Sequence, residues 1–107
     1  CDGFIFVTAE YNHSIPGTMK NAFDSLSSEW MGMPVAFVGY GGDGGVRAIE
    51  HWRQVTANLS MRDVRNIVAL HIFGADATDG QFTPQKPKLA ALQNVFADVE
   101  AAVSARG

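Results

Sequence analysis

The sequence predicts an α/β domain: a three-layered sandwich on a parallel sheet. Two observations predict it. Three short apolar runs, "FIFVT", "VAFVGY" and "NIVALHIF", read as strands buried on both faces. Each is followed by a stretch with helical spacing of its apolar residues, so the order is βα, βα, βα. That alternation calls for parallel strands joined by right-handed crossovers.

The first strand is expected over Phe4 to Thr8. Pro16 suits the first turn of a helix, with Ser14 or Ile15 near the cap. That helix is expected to run through "GTMKNAFDSLSSEW", with Met19, Ala22, Phe23 and Leu26 on one apolar face. The pair Met33-Pro34 ends the connector, and residues 35–40 form the second strand. "GGDGG" at 41–45 is a glycine loop. Val46, Ile49, Trp52, Val55 and Leu59 then recur at helical spacing. Residues 66–73 read as the third strand, and "GADATDGQFTPQKPK" as a polar loop. The last helix is expected at 89–105, with Leu89, Leu92, Phe96, Val99 and Val103 inward.

The totals exclude several classes. The chain has 107 residues, enough for a single domain. Net charge is −3, pI is about 5.4, and the eight basic residues are scattered. A phosphate-binding surface wants clustered Lys and Arg, so nucleic acid is not an expected partner. No apolar run approaches the ~20 residues that span a bilayer, so no membrane is expected either. The lone cysteine, Cys1, allows no internal disulfide. Asn12-His13-Ser14 and Asn58-Leu59-Ser60 match the glycosylation sequon and are read as chance. A cytoplasmic home is expected.

In open parallel sheets, ligands bind outside the carboxyl ends of the strands. "AEYNHSIPG" at 9–17 and the glycine loop both leave successive strands at that edge, so both can face one ligand. "GYGGDG" at 39–44 satisfies the dinucleotide pattern G-x-G-x-x-G. That fingerprint also wants an acid ~20 residues on, at the end of the next strand. Asp63 precedes the expected strand and Asp76 lies too far along, so the dinucleotide reading is weak. A better reading is that the glycines keep Cβ atoms away so that a flat ring can press on backbone.

"EYNHSIPGTMKNAFD" resembles the flavin-contacting loop and following helix of the NADPH-dependent FMN reductases, a flavodoxin-like group that includes quinone, azo-dye and chromate reductases. Ala9 stands where that family commonly has Pro; Glu10, Tyr11, Asn12, Ser14, Pro16, Gly17, Lys20, Asn21 and Ala22 match its pattern. "PVAFVGYGGDGGVRA" is similar to the next strand and glycine loop. The resemblance implies a flavodoxin-like sheet of order 2-1-3-4-5, of which residues 1–107 would supply strands 3, 4 and 5 as one incomplete domain. It implies FMN and NADPH as cofactors. The cofactor-binding residues it implies are Glu10, Tyr11, Asn12, Ser14, Pro16, Gly17, Tyr40, Gly41, Gly42, Gly44 and Gly45. No catalytic side chain and no metal ligand is assigned, since a flavin does the hydride chemistry while the protein supplies position and electrostatics. Asn12 can offer an acceptor and donors to the pyrimidine edge, and Tyr11 can pack against the ring.

Other residues have plainer readings. Glu10 caps a local turn or contacts the ligand, two roles equally open. His51 reads as a helix-surface residue, His71 as a strand residue, and His13 as exposed near the site. Trp30 and Trp52 read as core or interface, and Lys20 as a solvated helix residue. The expected function is NAD(P)H-dependent reduction of FMN, with electrons passed to a small-molecule acceptor: a quinone, azo compound, metal oxyanion or free flavin. The rivals are a cofactor-free assembly module and a flavodoxin-type electron carrier. The resemblance implies that strand 1, its phosphate-cradling loop and strand 2 precede Cys1. The 107-residue chain is therefore expected to bind FMN poorly and to form a homo-oligomer or associate with an N-terminal fragment.

Overall fold

A computed structural model of the chain describes residues 1–106. Three parallel strands form one sheet in the order β1 (Phe4–Ala9), β2 (Pro34–Gly41), β3 (Arg62–His71). The crossovers are α1 (Gly17–Asp24) and α2 (Val46–Ala57). A two-stranded antiparallel ribbon, β4 (Ala77–Thr78) and β5 (Gln81–Phe82), precedes α3 (Lys86–Arg106). The order β1-β2-β3 is what strands 3, 4 and 5 of the expected sheet require.

Alternation along each strand builds two cores. Phe6, Phe37 and Ile67 face α1 and α2, with Phe23, Ile49, Trp52 and Met61. Ala36, Val38 and Val68 face α3, where Val95 is fully buried. The first core is aromatic. Phe6 meets Phe23, Trp30, Phe37 and Trp52 edge to face at 5.6 to 5.9 Å. The indole N–H of the buried Trp52 donates to Thr8 Oγ1 at 3.1 Å, which satisfies it away from water.

Several elements differ from expectation. The helix expected to reach Trp30 stops at Asp24. Ser25 Oγ donates back to Asn21 O, and Trp30 folds over so that its ring stacks on Phe23 at 5.1 Å and its indole N–H donates to Phe23 O. Serine side chains compete for backbone groups, and here the aromatic stack closes the turn instead. On α2 the buried positions are Ala48, Ile49, Trp52 and Thr56, while Val46 is exposed. On α3 the inward residues are Ala91, Leu92, Val95 and Val99; Leu89 and Phe96 are exposed. β3 starts four residues early, so Asp63 lies within it and pairs with Arg53 at 2.6 Å. The polar loop holds a hairpin turned by Asp79 and Gly80, both at positive φ.

Candidate functional site

Both crossover loops leave the sheet at its carboxyl edge. The ladder of β1 and β2 runs on to Glu10, whose N–H donates to Tyr40 O at 3.2 Å. Tyr11 and Ser14 then exchange two backbone hydrogen bonds of 3.0 Å each. Between them Asn12 (φ 50°) and His13 (φ 73°) are both left-handed, the geometry of a tight primed turn. Asn tolerates that region; for His it is costly. The turn leaves Tyr11, Asn12 and His13 exposed. Pro16 is buried and caps α1, and Gly17 is the first helical residue.

The side chain of Glu10 is turned toward α2. Its Oε1 accepts from the N–H groups of Arg47 (3.0 Å) and Ala48 (3.3 Å), and its Oε2 from Arg47 Nη1 (2.9 Å). The residue before α2 is Gly45, which has no side chain to cap with, so Glu10 supplies the cap from another loop. Burial alone would raise its pKa. The Arg47 guanidinium and the two N–H groups outweigh that and hold it below the ordinary 4.5. Of the two roles open for Glu10, a cap is therefore present, on α2 rather than on the turn that follows it. One helical turn further along α2, His51 Nδ1 lies 2.7 Å from Ser14 Oγ.

The glycine loop doubles back on its own strand. A Cβ on Gly45 would lie 2.6 Å from Tyr40 N, and its φ is 73°. Gly44, at φ 77°, packs against the Ala69 and His71 side chains. Both are buried. Gly42 is different: it is exposed, and a Cβ there would meet just the Phe73 ring, at 3.9 Å. Gly41 lies beside the first loop, its Cβ position 3.6 Å from Glu10 Cβ. Tyr40 is partly exposed.

Thus Glu10, Tyr11, Asn12 and Ser14 come together with Gly41 and Gly42 at one edge. Gly44, Gly45 and Pro16 are committed to the local fold. Sequence reasoning missed Arg47, His51 and Phe73. Phe73 is 85% exposed beside Gly42, on a third loop held by Asp76. That buried carboxylate accepts from Gln85 N (3.0 Å) and His71 N (2.8 Å), bonds that lower its pKa. No residue type at 73 announces this; it follows from β3 ending where the glycine loop begins. Trp52 sits in the core and Trp30 is packed against it, and Lys20 pairs with Asp24 at 2.5 Å.

The edge has the chemistry of a flat ring's seat: exposed glycine backbone, an amide with donors and an acceptor, and aromatic flanks. It is poor in free cations, because Arg47 is paired with both Glu10 and Asp43 (3.0 Å). A cavity of about 480 Å³ between α1 and α2 is lined by Lys20, Phe23, Leu26 and Leu59, among others, none from either loop.

The family model for NADPH-dependent FMN reductases matches residues 1–75. The chain belongs to this family. An NAD(P)H-dependent FMN reductase of Schizosaccharomyces pombe is 44% identical over 69 residues, covering 64% of this chain and 34% of that protein. The Saccharomyces cerevisiae reductase LOT6 is 33% identical over 84 residues, covering 78% and 44%. A quinone reductase of Escherichia coli K12 is 43% identical over 64 residues, covering 54% and 34%. In structure, the chain is similar to FerB, a flavoenzyme NAD(P)H:acceptor oxidoreductase of Paracoccus denitrificans. The TM-score is 0.68 at 27% identity, over 94% of this chain and 60% of FerB. The chain spans less than half the length of these curated relatives. The family match takes in both loops, Arg47, His51 and Phe73. The likeness to FerB supports the flavodoxin-like α/β reading of the fold. Among the described residues, no helix is long and apolar enough to cross a membrane.

Proposed function

We propose that residues 1–107 form one domain carrying the ring-binding side of an FMN site in an NAD(P)H-dependent reductase. The observation that supports it best is the adjoining of two loops at the carboxyl edge. The left-handed Asn12–His13 turn stands at this edge together with the exposed Gly42, where a Cβ would meet just the Phe73 ring. Bound FMN would supply hydride and electron transfer between NADPH and an acceptor. The Asn12 amide would hold the pyrimidine edge of the ring through its donors and acceptor, and Tyr11 and Phe73 would supply aromatic contact. Backbone N–H groups of the turn favour negative charge on the ring without introducing an acid. The acceptor is a small molecule, with a quinone favoured by the quinone reductases among the relatives. A cytoplasmic location and a homo-oligomeric state complete the proposal.

Titration of the pure chain with FMN and with riboflavin, followed by flavin fluorescence, tests this reading. The ring seat predicts that both bind weakly, with affinities within about threefold, because Arg47 is already paired and offers the phosphate little. NADPH should then bleach the visible band. Absence of binding by either flavin even at about millimolar concentration would leave a cofactor-free module. Bleaching that fails in a yellow protein would leave an electron carrier.

A further inference from the structure

The turn at residues 11–14 is conformationally costly, and something must hold it. Glu10 fixes its near end by capping α2 through Arg47 and Ala48. Its far end is tied to the same helix by Ser14 Oγ and His51 Nδ1, 2.7 Å apart and 37 residues distant in sequence. Positions 47 and 51 are four residues apart, so both anchors lie on one face of α2, one turn from each other. Residues 10–14 therefore form a staple across that face, and the exposed Asn12 and His13 sit at its crest. The contact is partly buried, which shields it from competing water.

We propose that His51 is a positioning residue of this site: by holding Ser14 from α2, it fixes the left-handed turn and so the direction in which Asn12 meets its ligand. The ligand side of this statement rests on the flavin reading above; the anchor itself does not. The atom concerned is Nδ1, which is bonded to Cγ. Asparagine carries its amide oxygen and nitrogen on Cγ too, so His51→Asn returns a hydrogen-bonding atom to nearly the same place. His51→Phe keeps the ring and removes that atom. The ring of His13, whose centroid is 6.4 Å from that of His51, has the same neighbour in shape in the Phe variant.

Two measurements on the 107-residue chain test the proposal. The first, without ligand, is amide hydrogen exchange at Tyr11 and Ser14, whose N–H groups close the turn. The second is flavin affinity, with thermal midpoints recorded for every variant. His51→Phe and Ser14→Ala should each speed exchange and weaken flavin affinity by about tenfold. Their midpoints should stay close to that of the parent. The double variant should be no worse than either single one, as for two partners of one bond. His51→Asn should restore both readouts. Parental exchange in His51→Phe and Ser14→Ala, additive effects in the double variant, or His51→Asn behaving like His51→Phe would each overturn the proposal. Should the parent bind no flavin, the flavin reading and the ligand half of the proposal fall, and the exchange data still decide the anchor.

Discussion

Replacing Glu10 with Ala removes the cap of a helix from a loop that lies 37 residues away in sequence. The parental carboxylate takes two N–H groups at the start of α2 and the Arg47 guanidinium. Loss of a helix cap costs about 1 kcal/mol. The charged hydrogen bonds add about 1 to 2 kcal/mol, since the Glu10 side chain is only 9% exposed. The ion pair itself adds well under ~1 kcal/mol, because Arg47 is 42% exposed and also holds Asp43. A total of about 2 to 3 kcal/mol follows, which lowers the thermal midpoint of a domain this size by about 10 to 20 °C. Glu10→Gln keeps one acceptor and should lose about half as much.

The pH dependence checks the cause. The folded-state pKa of Glu10 is lowered below its ordinary 4.5. The stabilisation by its charge is therefore complete above the unfolded value and is lost as pH falls through the lowered folded one. Urea unfolding followed by circular dichroism, at about pH 7 and about pH 2.5, provides the assay. The gap between parent and Glu10→Gln should be open at the higher pH and nearly closed at the lower. Equal midpoints for parent and Glu10→Ala at neutral pH, or a Glu10→Gln gap unchanged in acid, would refute the reasoning. Asp43→Ala, which removes a 68%-exposed partner, is the control and should cost about 0.5 kcal/mol or less.

The two ends of the glycine loop should separate stability from binding. Gly45→Ala places a methyl 2.6 Å from Tyr40 N at a φ of 73° and should destabilise the chain by about 3 kcal/mol, read by urea unfolding. Gly42→Val meets just the Phe73 ring, at ordinary contact distance, so it should leave the midpoint nearly unchanged and weaken flavin binding in a fluorescence titration. Asn12→Gly suits the φ of 50° and deletes the amide; it should lower flavin affinity without loss of stability. The outer edge of β1 has no strand partner among the described residues, and Val7 is 60% exposed. Sedimentation of the chain at micromolar concentration should therefore show species heavier than 11.5 kDa, and Val7→Lys should shift them toward the monomer.

Much of this was legible without coordinates because it rests on local chemistry. Apolar runs at 4–8, 35–40 and 66–73 can be satisfied by a sheet covered on both faces, and helical stretches between them impose parallel pairing. The polar loop after β1 and the glycines after β2 were readable as one edge because parallel strands bring their carboxyl ends together. The Asp79-Gly80 turn was also there to be read as a hairpin signal and was passed over as loop. Other features depend on which groups meet across the chain, and spacing carries no record of that. α1 ends early because Trp30 swings back onto Phe23, a contact that helical periodicity does not encode. Which face of α3 turns inward was settled by β2 and β3, where Val95 fits and Leu89 does not. Glu10 became a cap for α2, and Ser14 a partner for His51, through side chains that reach 37 residues along the sequence. Sequence alone determined the layers and the edge at which the two loops meet, since burial and strand direction are properties of each segment. Tertiary packing decided what anchors that edge, since a long-range hydrogen bond exists only once two segments have been placed side by side.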